Sequence, residues 1–237
     1  MVGAGKITSR GGALSPIPLF IGIIMKEHPS TAAIREDVYR LLAACYYSPT
    51  PALLDEKCCE TLANLLSGPA PEAASHAAEA AQLLAAQSVE ALAVEHARLF
   101  MGPFQLVAPP YGSYYLDDNQ TVMGDSTAEV ETFYNSCGLH LADDFHELPD
   151  HVTAELEFIS FLAFSQRKAE ADADSEESGR FVRLQGEFLG RFLLPWLEPF
   201  TAAIICDAEA PFYQALARCT AAFVNADNAA LAVAENG

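Results

Sequence analysis

Apolar residues along most of this chain recur every three or four positions, the period of one face of an α-helix. Pro29-Ser30 opens the first clear run, in which Ile34, Val38, Leu41, Leu42 and Cys45 share a face. Ser48-Pro49-Thr50-Pro51 ends it and starts the next, with Thr50 as N-cap and Pro51 at the first helical position. Leu54, Cys58, Leu62, Leu65 and Leu66 give that segment its stripe, and Gly68-Pro69 stops it. Residues 73–86 are alanine-rich and helical by propensity. Ser88 caps a further helix carrying Leu92, Leu99 and Phe100, which ends at Gly102-Pro103.

Residues 102–125 break the pattern. Pro103, Pro109, Pro110, Gly112 and Gly124 forbid one continuous helix, yet the stretch carries Phe104, Tyr111, Tyr114, Tyr115 and Met123. Long loops of this kind are often functional. Ser126-Thr127-Ala128-Glu129 reads as a capping box for a helix that buries Val130, Phe133, Tyr134 and Cys137, with Gly138 at its end. Asp150 is the expected N-cap of a helix that is apolar on nearly every side, from Val152 through Phe164. Residues 172–177 read as a mobile acidic linker. Phe181, Leu184, Phe188, Phe192 and Leu193 mark another helix, and Pro195 and Pro199 should kink or restart it around Trp196. Pro211 begins the last helix, and the tail from Asp227 to Gly237 should fray. No convincing strand or repeat occurs. The expected fold is an all-α, single-domain bundle of about eight or nine helices over residues 29–226.

Composition narrows the function. The 237 residues are 51% hydrophobic and 19% charged, a globular balance. Lys and Arg number 13 against 32 Asp and Glu, a formal net charge of -19. Such a polyanion is repelled by phosphate backbones and anionic membranes, so neither nucleic-acid binding nor stable membrane insertion is expected; a basic peptide would be attracted. The six cysteines form no Cys-x-x-Cys pair and read as reduced thiols. The apolar run from Leu14 to Met25, preceded by Lys6 and Arg10, is too short to span a bilayer as a helix. Residues 1–28 are read as a disordered or mis-called extension, with Met25 as the true start.

Catalytic and cofactor signatures are missing: no His-Glu-x-x-His, no Gly-x-Ser-x-Gly, no phosphate loop with correct spacing. The densest polar cluster is His140, Asp143, Asp144, His146, Glu147, Asp150, His151 and Glu155. It has three readings. Asp150 could cap a helix while His151 pairs with Glu155 or with a nearby carbonyl. The cluster could hold a metal through His140, His146 and His151, although Pro149 keeps His146 and His151 off a common helical face. Or Asp150, His151 and Glu155 could line a groove for a cationic peptide. The tyrosines of Tyr111-Gly112-Ser113-Tyr114-Tyr115 are equally compatible with a core plug and with peptide anchors.

Pro110-Tyr111-Gly112-Ser113-Tyr114-Tyr115-Leu116-Asp117 followed by Met123-Gly124-Asp125-Ser126-Thr127 resembles the central signature of the TorD/DmsD/NarJ chaperone family. Leu148-Pro149-Asp150-His151, Glu155-Leu156-Glu157-Phe158, Leu194-Pro195-Trp196-Leu197 and Pro211-Phe212-Tyr213 continue it in order, from about Ile34 to Val224. Gly112 departs from the larger, often acidic residue of many relatives. The resemblance implies a cytoplasmic, all-helical chaperone with a hinge near residues 138–150, a monomer or homodimer, with no catalytic residue, metal or cofactor. It implies binding of the twin-arginine signal peptide, or the apo form, of a molybdopterin oxidoreductase. Tyr111, Ser113, Tyr115, Pro149, Asp150, His151 and Glu155 are the residues it assigns to client recognition.

Overall fold

A computed structural model describes residues 7–9, 30–102, 106–142 and 145–235. Its backbone is almost wholly helical. In chain order the elements are β1 (Ile7–Ser9), α1 (Thr31–Tyr46), α2 (Pro51–Asp55), α3 (Cys58–Leu66), α4 (Pro71–Ala85), α5 (Val89–His96), α6 (Gly112–Leu116), α7 (Asp125–Ser136), β2 (Leu139–Leu141), α8 (Val152–Ala171), α9 (Ser175–Phe188), α10 (Leu194–Asp207) and α11 (Pro211–Glu235). The fold class is all-α, as the periodicity requires.

Local chemistry explains most boundaries. Ser30 Oγ accepts from Ala33 N at 3.3 Å and caps α1; Ser88 Oγ does the same for α5 from Ala91 N at 3.1 Å. The stripe expected over residues 51–66 is split, because Lys57 takes a left-handed φ of 52° between α2 and α3. α5 runs into a π-turn at Ala97–Met101, and a second π-turn at Leu189–Leu193 joins α9 to α10. Pro195 lacks the N–H of a helical ladder. The widened turn just before it keeps Ser175–Asp207 one continuous helical stretch, so of the expected kink or restart the restart does not occur. By length and composition that stretch could cross a bilayer, but half of its most apolar window is buried inside the fold. It packs against α8 through α9 and against α11 through α9 and α10.

Two expected loose regions are ordered. Residues 172–177 are no mobile linker: Asp174 N donates to Ala169 O at 2.9 Å, and Asp174 Oδ1 accepts from Glu177 N at 3.0 Å, capping α9. α11 continues to Glu235, past the point where fraying was expected. Its Asp227 is buried and accepts from Arg35 Nε at 2.5 Å, Arg35 Nη2 at 2.9 Å and Tyr39 Oη at 2.7 Å. Gln166 accepts from Arg35 Nη1 at 3.3 Å and from Gln185 Nε2 at 3.0 Å, tying α1, α8, α9 and α11 together.

The core lies between α1, α8 and α9 on one side and α3, α4, α10 and α11 on the other. Val38, Leu42, Phe158, Phe188, Trp196 and Phe212 are fully buried within it. Two short strands form, although none was expected: Ile7 pairs with Leu141, Thr8 with His140 and Ser9 with Leu139, antiparallel. The rest of residues 1–28, including the apolar run from Leu14, lies outside the described residues.

Candidate functional site

The two stretches singled out in the sequence meet in space. Tyr111 and His151 form an antiparallel bridge, in which Gly112 N donates to Asp150 O at 2.9 Å and Val152 N donates to Pro110 O at 2.8 Å. This clamp sets the start of α6 beside the start of α8.

Asp150 does not cap α8. His151 is the N-cap, its Nδ1 accepting from Thr153 N at 3.2 Å and lying 2.7 Å from Thr153 Oγ1. Asp150 Oδ2 instead accepts from Ser113 N at 2.7 Å, holding the first turn of α6 across 37 residues of chain. Ser113 Oγ in turn accepts from Met123 N at 3.2 Å. Nor does the capping box close: Asp117 reaches the start of α7, accepting from Ser126 Oγ at 2.9 Å and from Ser126 N at 3.3 Å. A Cβ on Gly124 would overlap that carboxylate, so the glycine is there for space.

Beneath α6 the junction is tight. A Cβ on Gly112 would lie 3.0 Å from Trp196 Nε1, so α6 sits against the indole. A side chain at this position requires the indole to give by a few tenths of an ångström. Trp196 Nε1 donates to Glu155 Oε2 at 3.3 Å, and Tyr115 stacks on the indole with centroids 5.8 Å apart. Tyr134 Oη donates to Pro149 O at 3.0 Å. Asp150 and Glu155 are both fully buried, and each keeps one oxygen, Oδ1 and Oε1, without a hydrogen-bond partner. Burial, then the neighbouring Asp150, raises the Glu155 carboxyl well above the ordinary carboxylate range, against the pull of the Trp196 N–H. Burial, with a smaller contribution from His96, pushes His151 down to about 3. His151 is therefore neutral at pH 7, and because Nδ1 accepts, its proton sits on Nε2.

Of the seven expected residues, Tyr111 alone combines exposure with reach. It is half-buried, donates from Oη to the exposed Glu147 Oε2 at 2.5 Å, and rests edge-on over His151 at 5.1 Å. Tyr115 is partly buried; Ser113, Pro149, Asp150, His151 and Glu155 lie inside. The carboxylates expected to line an open groove are thus roofed by α6. Trp196, Tyr134, Asp117 and Glu147 complete the junction and went unassigned in the sequence. A glycine opposite a tryptophan was the available signal for the first, but it requires knowing that residues 112 and 196 meet.

Metal binding by His140, His146 and His151 finds no geometry. His140 lies on β2 and His146 in the exposed connector, while His151 Nδ1 is committed to the helix cap. Asp143 and Asp144 lie outside the described residues. Among the described residues, no group of three or more His, Cys, Asp or Glu could hold a metal ion.

The whole junction falls within residues 59–202, which match the family model described as the nitrate reductase delta subunit. The chain belongs to that family. The match covers more than half of the chain and includes α6, α8 and Trp196. Among curated relatives, the Tat proofreading chaperone DmsD of Salmonella typhi is 32% identical over 139 residues, covering 59% of this chain and 61% of that protein. The perchlorate reductase assembly chaperone of Dechloromonas aromatica is 36% identical over 98 residues, 41% of this chain and 43% of its own. The chaperone protein TorD of Vibrio parahaemolyticus is 27% identical over 140 residues, 59% and 64% respectively. The chain thus matches less than two thirds of the length of each of these relatives. A crystal structure from Archaeoglobus fulgidus, described as a candidate redox enzyme maturation protein, has the same fold, with a TM-score of 0.52 at 21% identity over 85% of this chain and 98% of that one. The three curated relatives are named as chaperones, for proofreading in the first and for reductase assembly in the second, and none is named for catalysis.

Proposed function

We propose that the protein is a cytoplasmic chaperone of the TorD/DmsD type. It binds the twin-arginine signal peptide, or the apo form, of a molybdopterin oxidoreductase, aids cofactor insertion and delays export. It is not an enzyme. The observation that carries the reading is the pair of buried carboxyl groups, Asp150 and Glu155, each with an unpartnered oxygen, in a chain of net charge -19.

A buried polar atom without a partner is costly, and such atoms in a native fold call for an explanation. Lifting α6 would admit water and remove the burial that keeps Glu155 protonated, and a guanidinium fork then offers donors to the ionised carboxylates. α6 is a five-residue lid held by the Tyr111–His151 clamp and by Asp150. In this reading Tyr111 makes first contact at the surface. Segment 138–150 acts as the hinge, and lifting α6 lets Asp150 and Glu155 meet the arginines. Ser113, Pro149 and His151 position the lid, while Tyr115 and Trp196 receive the apolar part of the leader. The acidity of the chain speeds encounter and makes it salt-dependent.

Titration calorimetry with a synthetic twin-arginine leader peptide, beside a twin-lysine version, tests this. The arginine peptide should bind, weaken with added salt and outcompete the lysine form. No heat from either peptide at micromolar concentrations overturns the proposal.

A further inference from the structure

β2 lies between the end of α7 and the connector that leads to Pro149-Asp150-His151. Gly138, with φ of 75°, turns the chain out of α7 into it. Leu139 is fully buried, His140 exposed and Leu141 partly buried, so the strand is anchored by alternate residues. A single anchored strand presents a row of backbone N–H and C=O groups ready to pair with another extended chain. In this structure Ile7–Ser9 fills that edge from within the same molecule and also lies close to α8.

The segment that fills it has a distinctive charge. Three of the 13 Lys and Arg fall in residues 1–26, as Lys6, Arg10 and Lys26, with none of the 32 Asp and Glu. The remainder of the chain therefore carries 10 basic against 32 acidic residues. Lys6 and Arg10 bracket the three paired residues in sequence, and an apolar run from Leu14 to Met25 follows. That order, cations then an apolar stretch, is the order of the leader under the proposed function. A three-residue strand pair is too short to be stable alone, so its exchange for a longer segment is open.

We infer that the β2 edge is a strand-accepting site for extended cationic segments, and that Ile7–Ser9 occupies it as an internal competitor of the client leader. This rests on the leader-binding reading for the identity of the competitor, but not for the pairing itself. The backbone hydrogen bonds of β2 supply affinity without sequence selection, and the acidic body of the protein selects positive segments.

The test uses the full chain, a chain starting at Met25, and Thr8→Pro in the full chain, which removes a strand N–H and disfavours pairing. Hydrogen–deuterium exchange at Leu139–Leu141 should rise in both variants. A synthetic peptide of residues 1–13 should restore protection to the shortened chain. Unchanged exchange, or no protection by the peptide, overturns the site. With a twin-arginine leader peptide, both variants should bind about tenfold more tightly than the full chain, as expected if the internal segment occupies the edge about nine-tenths of the time. Equal affinities in all three overturn the competition. A leader that binds none of the three counts against the proposed function, and the exchange data then decide the strand site alone.

Discussion

Asp150 separates a structural role from a recognition role. Its Oδ2 accepts the Ser113 N–H at 2.7 Å in a site with no solvent exposure, a charge-assisted hydrogen bond, while Oδ1 is unpartnered. Asp150→Ala removes the acceptor and leaves the Ser113 N–H buried and unmet, which costs about 1.5–3 kcal/mol. The backbone clamp survives, because Gly112 N and Val152 N pair with main-chain carbonyls. The loss therefore stays local, and helicity should be unchanged. Asp150→Asn keeps an acceptor for Ser113 and removes only the charge, so it should cost about 0.5–1.5 kcal/mol. In a chain of this length each kcal/mol moves Tm by about 2–4 °C. Urea unfolding should thus rank wild type above Asn above Ala. Leader affinity should follow a different order: if the carboxylate meets a guanidinium, Asn and Ala should both bind at least about tenfold more weakly, or about 1.4 kcal/mol. An Asn variant that binds like wild type while Ala does not would refute direct recognition and leave Asp150 as the holder of α6.

Further outcomes follow from the buried titratable groups and the ion pair. His151 is depressed to about 3, so between that value and its unfolded pKa near 6.5 the unfolded chain binds the extra proton and stability falls as pH falls. From pH 7 to 5 this contributes a loss of about 2 kcal/mol, so in urea titrations at the two pH values His151→Asn, which can still cap α8, should lose about 2 kcal/mol less than wild type. Glu155 has the opposite sign: its raised folded pKa makes it stabilising in acid, and that contribution is lost as pH rises above the ordinary carboxylate range. Glu155→Gln should therefore gain on wild type with increasing pH in the same titrations, by up to about 1.4 kcal/mol per unit until the folded pKa is passed. Asp227→Ala leaves Arg35 and Tyr39 buried without their partner and should cost about 3–5 kcal/mol in denaturant melts, most of it recovered in an Arg35→Met, Asp227→Leu double variant.

The reach of the sequence divides along the range of the interactions that shape each element. Where a helix is determined by its own residues, reading it locally succeeds. Val38, Leu41, Leu42 and Cys45 are buried on α1 as their spacing requires, and Ser30 and Ser88 cap the helices that they precede. Where a side chain serves a distant element, local rules mislead. Asp150 stands two residues before the start of α8 and has the right chemistry for its cap, yet its carboxylate goes to Ser113 because the Tyr111–His151 bridge brings α6 within reach. The same holds for Ser126, whose apparent capping box gives way to Asp117, and for Pro195, tolerated because a π-turn precedes it. The candidate site is built almost wholly from such long-range substitutions, so its residues could be named in the sequence while its geometry could not. That geometry changes the physical argument. Asp150 and Glu155 lie in a closed interior, so under the proposed function recognition has to include the free energy of opening α6. Affinity will then depend as much on the residues that hold the lid, Ser113, Trp196 and Tyr134, as on the charges beneath it.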